Sequence, residues 1–229
     1  MAIGSTMVSG SGEHTLGAQA ERLGAHGESR RGAEAGRSLT LVAAVYGGVA
    51  AAATGIAMSL GRNPLRCDGW IGKGGPSSWL MSLGLGVLAG AATLAATRIM
   101  LRRWNWMQEL LIALRPSVHR AGSGSLLAVA LASATGEELL FRGLLVPMIG
   151  VLASSVAFGG LHQIRGPASW AWMAWATLTG LLFALIFAAT GSLVGPLFAH
   201  AAINHSNLRL LRDTDPAPRP RSLGGLLRR

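Results

Sequence analysis

Apolar residues in this chain come in long runs separated by short polar breaks, and the lengths of those runs set the predicted elements. A helix needs about 20 consecutive apolar residues to cross the hydrocarbon core of a bilayer. Leu39 to Leu60 meets that length, and so does Trp79 to Leu101. Ala168 to Leu193 is also long enough, with Trp170, Trp172 and Trp175 gathered at its start like an interfacial belt. Between Gly122 and His162 lies a longer apolar region broken by Pro147 and Gly150, which predicts two helices turning near Pro147. A last span is expected from about Leu193 to Leu211. The predicted fold is therefore all-α, a polytopic transmembrane helix bundle of about six spans. Trp104 to Leu114 is too short to cross. With Trp104, Trp106, Glu109 and flanking arginines, it reads as a helix lying in the interface.

Composition agrees with a bilayer as solvent. Half of the 229 residues are hydrophobic and only 13% are charged, with a mean hydropathy of +0.42; soluble domains carry about 25% charged residues. The formal charge of +10 comes almost wholly from arginine. These arginines cluster at the ends of apolar runs and do not interleave with aromatic residues, so anchoring to anionic head groups is expected and a nucleic-acid partner is not. The N-tail, the loop after Leu101, the loop after His162 and the C-tail hold about 15 Lys and Arg together. The opposite side holds Arg62, Arg66 and Lys73. That asymmetry predicts a multi-pass protein of the cell membrane with both termini cytoplasmic. Residues 1–38 are too polar to bury a core and are expected to be a disordered tail. Residues 39–121 would hold two spans and the interfacial helix, 122–212 a polar-centred bundle, and 213–229 a polar tail. Cys67 stands alone, so no intrachain disulfide is available.

Three polar motifs interrupt this apolar background. Charge inside a span costs at least about 2.5–3.5 kcal/mol per residue, yet Glu137, Glu138 and Arg142 fall within one helix. Glu138 and Arg142 are four residues apart with the acid first, the favourable order for a pair on one face. Glu137 points about 100° away and needs a cation, a donor or a metal from elsewhere, or a proton of its own. Phe158 and His162 share a face at i and i+4, and the small Gly159 and Gly160 permit close approach of a neighbouring helix. His200 and Asn204 repeat the spacing in the last span. A carboxylate, two imidazoles and a carboxamide from separate helices can activate water and hold a carbonyl oxygen. Taken singly, each signal has a structural explanation: an ion pair, a buried histidine bond, helix glue. Gly84, Gly86 and Gly90 read as a packing face.

The order of Glu137, Glu138 and Arg142 with Gly143 following, then Phe158 and His162, then His200 and Asn204, resembles the CAAX protease and bacteriocin-processing family. This family is also called the Abi or type II CAAX prenyl endopeptidase family. The resemblance covers about Leu126 to Leu211; the first two spans carry none. It implies an all-helical membrane peptidase whose site is sunk in the bilayer. Glu137 and His162 would activate the attacking water, His200 and Asn204 would bind the substrate carbonyl or oxyanion, and Glu138, Arg142 and Phe158 would support them. Glu137, His162 and His200 are a zinc-type ligand set with an open position for water. The same groups also work without metal, with Glu137 as general base. The Ala-, Gly- and Arg-rich composition resembles bacterial chains, so the expected substrate is a membrane-bound or amphipathic peptide rather than a prenylated one. The alternative class is a non-catalytic immunity or scaffold protein, or a small transporter with a buried polar site.

Overall fold

The computed structural model describes residues 40–72 and 75–214. The tail expected over 1–38, Lys73 and residues 215–229 lie outside the described residues. Helices α1 (Thr40–Ser59), α2 (Pro76–Arg103), α3 (Asn105–Leu114), α4 (Ser123–Glu138), α5 (Val146–Leu161), α6 (Ser169–Thr190) and α7 (Val194–Asp213) follow in order. No strand occurs among the described residues, and the fold is an all-helical bundle of span-length helices. The short α3 packs Met107 and Leu110 against Met100 of α2 and Trp172 and Trp175 of α6.

Among the described residues, four stretches are long and apolar enough to cross a membrane: Thr40–Ser59, Pro76–Arg103, Ser123–Leu161 and Ser169–Thr190. The expected count of about six is roughly consistent with these four, for two physical reasons. Ser123–Leu161 runs 39 residues as one stretch, and α7 carries too many polar side chains to qualify by composition. The turn expected near Pro147 is displaced. Helical backbone continues from the preceding π-helix through Pro147. The break falls at Gly150, whose φ of 85° and ψ of 169° suit only glycine. After it, residues 151–161 rise only about 16 Å before the helix ends at His162.

A seven-residue π-helix, Leu139–Leu145, joins α4 to α5. Four consecutive residues in it, Phe141 to Leu144, are buried, because partners lie on both sides. Gly143 meets the backbone of Pro64, and Leu144 packs on Ala53 and Ala57 of α1. Phe141 stacks edge-on against Phe158 of α5. The wide turn leaves the Phe141 carbonyl reachable, and the Ser154 hydroxyl donates to it at 2.8 Å.

Two contacts pin α7 to α2. The Ser82 hydroxyl donates to the Ser192 carbonyl at 2.9 Å and accepts from the Gly195 N–H at 3.0 Å. Lower down, Arg98 donates to the Ser206 hydroxyl at 2.9 Å. Gly86 touches the Gly195 backbone and Gly90 faces Ala199, whereas Gly84 points into open space. The expected glycine face thus reduces to two members, and their close approach fixes where α7 presents His200.

Candidate functional site

The structure brings the polar residues of α4, the π-helix, α5 and α7 to one place. Glu138 is completely buried and accepts through Oε1 from Arg142 Nη1 at 2.9 Å and from His200 Nδ1 at 2.7 Å. Arg142, also buried, donates its other nitrogen to the Gly180 carbonyl of α6 at 2.9 Å. Its guanidinium lies over the Phe158 ring at 4.5 Å and the Phe183 ring at 5.5 Å. A β-carbon on Gly180 would lie 2.8 Å from Phe158, so a bare backbone there keeps this stack closed. The expected i, i+4 ion pair is present, and His200 joins it.

Glu137 faces the other way, as the helical offset requires. Its Oε2 lies 3.6 Å from His200 Nε2 and 3.8 Å from His162 Nε2. Both gaps exceed a direct hydrogen bond, and Oε2 is buried without a hydrogen-bond partner. The tautomers follow from the far ring nitrogens. His162 Nδ1 lies 2.8 Å from the Phe158 carbonyl, which can only accept, and His200 Nδ1 faces the Glu138 carboxylate. Each Nδ1 therefore carries a proton, and in the neutral rings each Nε2 turns a lone pair toward Glu137.

Phe158 forms the floor beneath both imidazoles, 4.4 Å from the His162 ring and 5.9 Å from the His200 ring by centroid. Trp172 stands edge-on to His162 at 5.6 Å. The His162 side chain is 22% exposed, against 6% for His200 and 12% for Glu137. Access to the cluster therefore runs past His162.

Asn204 sits one turn beyond His200, and its amide donates to the Ser133 hydroxyl of α4 at 3.0 Å. That bond ties α7 to α4 one turn from Glu137. The residues around the cluster not singled out from sequence as site residues are Ser133, Trp172, Gly180 and Phe183. Trp172 was visible only as part of the tryptophan belt. Gly159 does admit α6, meeting Thr177 and the Met173 carbonyl, whereas Gly160 has open space beside it.

By donor type Glu137, His162 and His200 suit zinc. Among the described residues, however, no group of three His, Cys, Asp or Glu closes to a metal-holding arrangement.

Comparison with known proteins places this cluster. No curated protein and no solved structure matches the chain. Residues 122–206, less than half of the chain, match the family model described as type II CAAX prenyl endopeptidase Rce1-like. The match spans Glu137, Glu138, Arg142, Phe158, His162, His200 and Asn204, and it leaves out α1, α2 and α3. The stretch that builds the polar cluster is thus similar to the Rce1-like domain of type II CAAX prenyl endopeptidases.

Proposed function

We propose that this protein is a multi-pass intramembrane endopeptidase that hydrolyses a peptide bond in a membrane-associated peptide or protein. The observation that carries the reading is the convergence of two imidazole Nε2 atoms on one unpartnered carboxylate oxygen, Oε2 of Glu137. Acceptors gathered round one point call for a donor, and a water molecule has two O–H groups to give. Glu137 would take one proton from that water as it attacks the carbonyl carbon, with His162 receiving the second O–H as a hydrogen bond.

The two imidazoles differ in what holds their Nδ1, and the difference suggests separate roles. His162 rests on a neutral carbonyl, which suits an acceptor. His200 rests on the Glu138 carboxylate, which holds its ring with Nε2 toward the site. Once a proton reaches that Nε2, His200 would donate to the oxyanion that forms on the substrate. Collapse of the tetrahedral intermediate breaks the C–N bond, and the proton held by Glu137 passes to the leaving amine. Asn204 would assist once a substrate draws its amide from Ser133. Arg142 balances the charge of Glu138 in a place water does not reach.

The test is cleavage of membrane-anchored peptides by purified protein in nanodiscs. Wild type should cleave, and Glu137→Ala and His162→Ala should lose the activity. Cleavage that persists unchanged in both variants would remove the assigned site. A biological phenotype that survives Glu137→Ala would favour a scaffold or transporter.

A further inference from the structure

The chemistry above uses one oxygen of Glu137, and a residue from outside the family-matched stretch stands beside the same side chain. Tyr46 of α1 packs its ring against Gly136, the neighbour of Glu137, and its phenol interacts electrostatically with the Glu137 carboxylate. Oε2 has no hydrogen-bond partner, which leaves Oε1 as the oxygen a phenol would hold. A carboxylate otherwise turns freely about its last bond, whose energy wells are broad and two-fold. A donor on one oxygen fixes the plane and presents the other.

The placement of Tyr46 is built into the packing of α1. A β-carbon on Gly136, the neighbour of Glu137, would lie 2.7 Å from the Tyr46 carbonyl oxygen and 3.2 Å from its ring. At the far end of α1, Gly143 meets Pro64 in the same way. Between these points Ala53 and Ala57 are buried against Leu144. Tyr46, Ala53 and Ala57 stand at i, i+7 and i+11, one stripe of a helix. The opposite face of α1 points outward, with Leu41, Val45, Ile56 and Met58 exposed. Two glycines flanking the Glu137–Arg142 motif thus dock α1 in a single register, and that register delivers the phenol to Glu137.

We propose that Tyr46 is a positioning residue for the reaction: its hydroxyl holds Oε1 of Glu137 so that Oε2 faces His162 and His200. The first helix is then part of the reacting centre. The kinetic consequence rests on the protease reading; the contact itself does not.

The chain contains one tyrosine, so growth on 3-fluorotyrosine labels position 46 alone. In nanodiscs, the fluorine resonance should move in Glu137→Gln and stay in place in Glu109→Gln. A resonance indifferent to Glu137→Gln overturns the proposal whether or not the protein cleaves peptides. In the cleavage assay, Tyr46→Phe should lower kcat about 10–100-fold, the usual cost of losing a group that orients a reacting one. KM and the thermal unfolding midpoint should stay at wild-type values. A Tyr46→Phe protein with wild-type kcat overturns the positioning role, as does one whose loss of activity follows loss of folded protein.

Discussion

Glu137 and Glu138 are adjacent in sequence, yet the two sides of α4 they face are built on opposite plans. On the Glu138 side a carboxylate meets a guanidinium and an imidazole N–H within 2.9 Å, the guanidinium reaches a carbonyl of α6, and two phenyl rings cover it. On the Glu137 side a carboxylate oxygen meets two imidazoles that offer lone pairs, 3.6 and 3.8 Å away, with exposure rising toward His162. The first arrangement pairs its charges through Oε1 of Glu138, although Oε2 of that carboxylate is buried without a hydrogen-bond partner. The second leaves an acceptor-rich point able to hold water and substrate. His200 belongs to both, one ring nitrogen on each side, and couples the held half to the proposed reacting half.

The comparison breaks most visibly at Glu138. Glu138→Ala should leave Arg142 buried without its carboxylate, costing about 3–5 kcal/mol of stability, read as a loss of folded protein in detergent. The histidines should divide next. His162→Ala and His200→Ala should both abolish cleavage, but only His200→Ala should also destabilise, by about 1.5–3 kcal/mol for a bond to a charged group. Equal unfolding midpoints in the two variants would remove His200 from the held half. Gly136→Ala tests the docking of α1: its methyl meets the Tyr46 backbone, so a cost of about 1–3 kcal/mol is expected from overpacking. The smallest effect should come from Ser133→Ala, which removes one interhelical bond to Asn204. Its expected cost is about 0.6 kcal/mol, read as a slight fall in unfolding midpoint with cleavage largely retained.

Much of this was legible in the sequence, for reasons that particular residues make plain. Run length alone reveals α1, α2 and α6, because a bilayer demands about 20 apolar residues whatever their order. The Glu138–Arg142 pair was readable because i and i+4 meet on any helix. Gly150 escaped because Pro147 is the stronger local breaker, yet the helical backbone continues through it from the preceding π-helix. Tyr46 escaped for a different reason. Its partner lies about ninety residues away, and nothing within α1 says which residue of α4 its stripe will face. The bond from Asn204 to Ser133 is hidden in the same way. Local spacing shows which side chains share a face, but the register between distant helices is set by close approach at Gly86, Gly136 and Gly143.

The central claim is that Glu137 reacts while Glu138 holds, and Glu137→Gln tests it most directly. Cleavage rate and thermal unfolding midpoint should be measured on one nanodisc preparation of each protein. The account predicts a loss of about 10²–10⁴-fold in kcat, the span expected for removal of a general base, with the midpoint unchanged. Cleavage at the wild-type rate would contradict it, as would a collapse in stability equal to that of Glu138→Ala.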